Sequence, residues 1–192
     1  LEFYSKQIAS IGARPGLLLE SVRDDGSFIP WENSAQHARD LAAKGYSYFK
    51  LNTQRITGYT PGNERQTSFE VMRDGFASIR KAVGEEVYLL NNDLKPNRAA
   101  LGHVDAHRIG AESKRDLLRP VFDDVLRCFA IHDRWGSVDT DAYFLGTDLE
   151  NVSSIAGGWP IVRTWTSMVG LSCGNAITSD PWYLECFKPL LR

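Results

Sequence analysis

The chain has 192 residues, 24 acidic and 22 basic, with a formal net charge of −2. That length can bury one sizeable core, so one domain is expected over residues 1–192, and the near balance of charge gives no electrostatic ground for a nucleic-acid or anionic-membrane partner. The three cysteines show no CxxC spacing and read as buried thiols, and no apolar run reaches the roughly 18 residues of a membrane span.

A helix is predicted over 1–11, ended by Gly12, and then a buried strand over 14–20, Arg-Pro-Gly-Leu-Leu-Leu-Glu. Because the chain opens inside a helix and without methionine, it is expected to be a piece of something longer. Asp24, Asp25 and Gly26 make a turn. Pro30 and Trp31 lead into a helix over 33–44 that sets Ala35, Ala38, Leu41 and Ala42 on one face and stops at Gly45. The next strand covers 46–51, with Asn52 at its end, and the polar loop over 53–66 suits a cover over a site. In the following helix Phe69, Met72, Phe76, Ile79 and Val83 recur at spacings of three and four, a core stripe that ends at Gly84.

A strand over 86–90 and a loop over 91–100 lead to the stretch Gly-His-Val-Asp-Ala-His-Arg-Ile-Gly-Ala-Glu-Ser, 102–113. Val104 to Ile109 reads as a buried strand between glycines, with Arg108 and Glu112 near its exit and Ser113 as the cap of the next helix. Ligands of parallel α/β sheets lie at the carboxyl ends of strands, so this cation and carboxylate are the first candidates for a site. A helix over 114–130 with a kink near Pro120 follows, then a strand within 134–145, a helix over 159–171, a strand over 172–178 and a last helix from Pro181. About six strand-helix units in succession predict a parallel sheet. A closed barrel of eight units takes about 250 residues, so this chain is about two units short.

Several runs carry a family resemblance. Tyr-Ser-Tyr-Phe-Lys-Leu-Asn, 46–52, is similar to the strand-four signature, aromatic-aliphatic-Lys-x-Asp, of the α-galactosidase (melibiase) clan of glycoside hydrolases, families 27 and 36. The run 102–112, ending Arg-Ile-Gly-Ala-Glu, resembles its strand-six signature, Arg-x-Gly-x-Asp. The run 11–20 resembles the third strand, Trp135 to Gly146, with Asp139 and Asp141, resembles the segment before the seventh, and 172–180 resembles the eighth-strand region. Five motifs in the right order cover nearly the whole chain.

The resemblance implies an incomplete (β/α)8 TIM-barrel fold, strands three to eight, that hydrolyses terminal α-linked galactosides with retention. The first two strand-helix units and a carboxy-terminal β-sandwich would lie outside this piece. It also implies a small carbohydrate as substrate and no cofactor. By position Asn52 falls on the nucleophile, Glu112 on the general acid/base, Lys50 on a residue that binds sugar hydroxyls, and Arg108 on its counterpart beside the acid/base. Asp139, Asp141 and Trp31 are the further substrate-binding candidates, Trp31 as a ring near a strand mouth able to stack on a sugar.

Both catalytic positions depart from the family pattern. A retaining glycosidase needs two carboxyl groups about 5 to 5.5 Å apart. Glu112 keeps a proton donor but moves it outward by about 1.5 Å. Asn52 carries no charge, and an amide is a poor nucleophile. Three readings of Asn52 stand: a deliberate knock-out, a relative that binds sugar without cleaving it, and a reaction moved to Glu112 and another acid such as Asp93, Asp139 or Asp141.

Plainer readings exist for each candidate: Trp31 is mostly a core residue and Asn52 a turn residue. Lys50 snorkels, Arg108 pairs with Asp105 or Glu112, Glu112 is a first-turn carboxylate favoured by the helix dipole, and Asp139 and Asp141 cap a loop. His103, Asp105 and His107 alternate along one strand face, the pattern of a metal-dependent barrel hydrolase. Polar packing under the helices is the competing reading, and no metal is expected. The incomplete sheet is expected to expose its edges.

Overall fold

The computed structural model describes residues 1–53, 65–93, 95–110, 118–143, 158–172 and 175–178. They form two compact units, Leu1–His107 and Arg108–Arg192. In chain order the first holds α1 (Glu2–Ser10), β1 (Gly16–Glu20), α2 (Trp31–Ala43), β2 (Tyr48–Asn52), α3 (Ser68–Val83), β3 (Tyr88–Asn91), a 3₁₀ turn (Arg98–Ala100) and β4 (Ala106–Arg108), whose last residue opens the second unit. Neighbouring strands are parallel and follow chain order, Gly16 facing Tyr48 through to Glu20 facing Asn52, Leu51 facing Asn91, and Leu90 facing Ala106. The expected alternation of strand and helix is therefore present, with strands starting up to two residues later than the sequence suggests.

The period of two along each strand sorts the side chains. Leu19, Phe49, Leu51 and Leu89 point into the core under the helices, where Ala35, Ala38 and Leu41 of α2 meet Phe76 and Ile79 of α3. The alternate residues, Leu18, Lys50 and Leu90, share the opposite face. Leu90 is fully buried there, whereas Leu18, on the edge strand β1, is 49% exposed. Gly16 is required by close approach: a Cβ at that position would lie 2.5 Å from Cδ1 of Tyr48, whose ring stacks on Tyr88 at 5.7 Å.

One expectation is corrected in α3. Phe69 is half exposed instead of belonging to the core stripe. The reason is a capping box: Thr67 accepts from the Glu70 amide at 3.2 Å and Glu70 accepts from the Thr67 amide at 2.7 Å, which starts the helix at Ser68 and turns its first residues outward. Those hydrogen bonds, first the backbone one from Thr67, hold the Glu70 carboxyl below its ordinary pKa. For Trp31 the core reading holds and the sugar-stacking one does not. It opens α2 and lies in the core, 7% exposed, with its ring 5.4 Å from Phe76 and 6.1 Å from Phe28. Gly75 of α3 lets the two helices close on the indole, since a Cβ there would sit 2.1 Å from Trp31 Cδ2.

At the amino ends of β3 and β4 a buried cation does structural work. Arg80, 8% exposed, donates from Nε to His103 O at 3.0 Å, from Nη1 to Gly84 O at 2.9 Å and Val87 O at 2.8 Å, and from Nη2 to Asp105 Oδ2 at 2.6 Å. The same Asp105 oxygen accepts from the Leu89 amide at 2.7 Å. Of the alternating trio, Asp105 is thus committed to Arg80 and to backbone, not to a metal. His103 is held below its ordinary pKa by desolvation, then by Arg73 and Arg80.

The second unit holds α4 (Leu118–Cys128), a 3₁₀ turn (Phe129–Ile131), β5 (Ser137–Tyr143), α5 (Gly158–Ser172) and β6 (Asn175–Thr178). β5 and β6 run parallel with a register shift between Asp139 and Ala142, and Ile109 donates to Asp139 O at 2.8 Å. Among the described residues Ile109, Val121, Val125, Val138 and Val169 are buried apolar side chains of this unit. The turn before β5 is tied by His132, whose Nδ1 accepts from the Val138 amide at 3.1 Å, with Asp133 in the left-handed region at φ 60°. The expected cap at Ser113, the stretch 114–117 of the expected helix and the last helix from Pro181 lie outside the described residues.

Candidate functional site

Parallel register brings the carboxyl ends of β1, β2 and β3 to one rim, and that rim is polar. Glu20 ends β1, Asn52 ends β2 and Asn91 ends β3. Asn52 Nδ2 donates to Glu20 Oε2 at 2.7 Å, and Ser21 Oγ donates to the Asn52 carbonyl. Asn52 Oδ1 is buried and has no hydrogen-bond partner among the described residues. An acceptor in that condition is costly unless something supplies a proton donor.

Of the loop expected over 53–66, residues 54–64 lie outside the described residues. Thr53 is buried and its hydroxyl contacts both Asp93 and Asn91 Oδ1, the latter at 3.1 Å. A hydroxyl has one proton, and the charged acceptor Asp93 is the stronger claimant. Turning the Asn91 amide over makes its otherwise partnerless Nδ2 the donor to Thr53. The consistent chain is then Asn91 to Thr53 to Asp93, with Asn97 donating to the other Asp93 oxygen at 2.8 Å. Asn97 also accepts from Ala99 at 2.9 Å and so starts the 3₁₀ turn. Asp93, one of the acids offered from sequence for water activation, is held from two sides.

The sequence-predicted residues fall into three groups. Lys50 and Asn52 share one face of β2 two residues apart, Lys50 half-buried on the side of Leu18 and Leu90. In the second unit Arg108 is 6% exposed and donates from Nε to Gly110 O at 3.2 Å, and the buried Asp139 stands on β5 beside Thr140, whose hydroxyl has no hydrogen-bond partner among the described residues. The Asp105 carboxylate, offered from sequence as a partner of Arg108, pairs with Arg80 at 2.6 Å. Asp141 is described in backbone only, and Glu112 lies outside the described residues. Trp31 belongs to the core, so its ring faces are taken by Phe28, Phe76 and Gly75 instead of a sugar.

Glu20 was missed as a site residue. The signal was available: it is a carboxylate at the carboxyl end of a predicted strand, the criterion that picked out Arg108 and Glu112. It was overlooked because its value depends on pairing opposite Asn52, which only register reveals.

No family model matches the chain. Among solved structures it is similar to the α-galactosidase of Thermus thermophilus in complex with stachyose, with TM-score 0.74 and 20% identity over 99% of this chain and 51% of that one. The same enzyme with p-nitrophenyl α-D-galactopyranoside gives TM-score 0.72 and 22% identity over 99% and 48% of the two chains. A Bacteroides fragilis protein proposed to be an α-galactosidase gives TM-score 0.57 and 12% identity over 93% and 40%. At such identities the likeness speaks for fold. The chain spans about half the length of the two Thermus structures it matches, and its fold is an incomplete (β/α)8 barrel of the α-galactosidase type.

Proposed function

We propose that residues 1–192 form one partial barrel domain that takes terminal α-linked galactosides at its strand-end rim as a glycoside hydrolase. The observation that carries the reading is the polar rim of Glu20, Lys50 and Asn52 in a chain whose fold matches α-galactosidases crystallised with galactosides. In this reading Lys50 and Arg108 hold sugar hydroxyls, Asp139 and Asp141 contribute further acceptors, and Glu112 protonates the departing oxygen. The test is release of nitrophenol from p-nitrophenyl α-D-galactopyranoside. Release is expected, limited to the acid side by a protonated carboxyl, and Glu112→Gln is expected to lower it by about a hundredfold or more. Absence of both release and galactose binding by calorimetry would reject the reading.

A second reading, sugar binding without cleavage, is favoured by the neutral Asn52 amide. Galactose binding by a chain that releases no nitrophenol would select it.

A further inference from the structure

Asn52 removes from the end of β2 the negative charge that double displacement needs, yet a carboxylate stands one strand away. Glu20 is exposed, ends β1 in register with Asn52, and accepts from its Nδ2 at 2.7 Å. Building on the galactoside reading above, we propose that Glu20 is the nucleophilic carboxylate of this site and that Asn52 is its positioning residue.

Adjacent strands lie about 4.8 Å apart, so a carboxylate moved from β2 to β1 needs a longer side chain to reach back toward the original position. Glutamate supplies that methylene, and the contact with Asn52 fixes its direction. The amide suits the task because it donates a hydrogen bond to Glu20 Oε2 without bringing a charge of its own. Aspartate at 52 would set two carboxyl groups side by side and force them to share a proton. Lys50, on the same face of β2, adds a positive neighbour to the rim. Glu20 Oε2 is held by Asn52, while Oε1 has no hydrogen-bond partner among the described residues.

In the first step Glu20 Oε1 uses an electron pair to bond the anomeric carbon. The glycosidic C–O bond breaks, and its pair leaves with the aglycone oxygen, which takes a proton from the general acid. Water then attacks the same carbon, the ester pair returns to Glu20, and the water proton goes to the conjugate base of that acid.

The test compares the chain with Glu20→Gln, Glu20→Ala and Glu20→Gln/Asn52→Asp on p-nitrophenyl α-D-galactopyranoside, with galactose binding measured in parallel. Glu20→Gln is expected to keep galactose affinity within a few-fold and to lose about a hundredfold or more in kcat. Added azide is expected to restore cleavage by Glu20→Ala and yield the β-galactosyl azide, a product that a merely structural role cannot generate. Glu20→Gln/Asn52→Asp, which returns the charge to β2, is expected to regain part of the activity lost in Glu20→Gln. A folded Glu20→Gln that cleaves as the parent does, or a folded, inactive Glu20→Ala that azide does not rescue, overturns the assignment of Glu20 and leaves the galactoside reading standing. A parent chain that binds galactose without cleaving it also overturns the nucleophile. A parent that does neither removes the galactoside reading and this assignment with it.

Discussion

Replacing Arg80 with methionine is expected to lower folding stability by about 3 kcal/mol, read as a shift of the urea midpoint without a change of slope. The guanidinium satisfies three backbone carbonyls, of Gly84, Val87 and His103, as well as the Asp105 carboxylate. Methionine fills most of the same volume, so the loss is polar: three acceptors and one charge remain without their donor. Breaking a buried pair typically costs about 3–5 kcal/mol. The lower end applies here because the Asp105 side chain keeps 35% of its surface exposed. Replacing both partners, Arg80→Met with Asp105→Asn, is expected to cost less than the sum of the single changes, since no charge is then stranded. Strict additivity would show that Arg80 acts through the carbonyls alone.

Trp31→Ala is expected to destabilise by about 3–5 kcal/mol, the range for emptying a large aromatic site in a core. The indole fills the space left by Gly75 and packs on Phe28 and Phe76, so α2 and α3 cannot close over a methyl group without leaving a cavity. Trp31→Phe is expected to cost much less, because most of the ring area returns and the lost indole N–H has no hydrogen-bond partner among the described residues. If Trp31 instead stacked on a sugar, Trp31→Ala would weaken galactose binding while leaving the urea midpoint nearly unchanged.

The alternation of strand and helix was legible because it rests on periodicity. Ala35, Ala38 and Leu41 at helical spacing, and Leu19, Phe49, Leu51 and Leu89 at alternate strand positions, report which face is buried whatever the partner. What escaped depends on contacts distant in sequence. The role of Arg80 is set by four acceptors that come from residues 84 to 105. The need for Gly75 depends on Trp31, 44 positions earlier, against which it packs. Phe69 was drawn into the core stripe because spacing alone ignores the cap that precedes it. At the site, Lys50 and Asn52 were readable from strand position and family resemblance. Glu20 was not, since its role lies in a pairing across strands.

The central claim is that the rim formed by the carboxyl ends of β1, β2 and β3 receives a galactoside. Backbone amide shifts recorded while galactose is titrated into the chain test it most directly. The largest shifts are expected at residues 20–22, 50–53 and 91–93, with those of Gly84, Val87 and His103 at the other end of the sheet unchanged. Shifts concentrated around Arg80, His103 and Asp105, or none at saturating sugar, would contradict it.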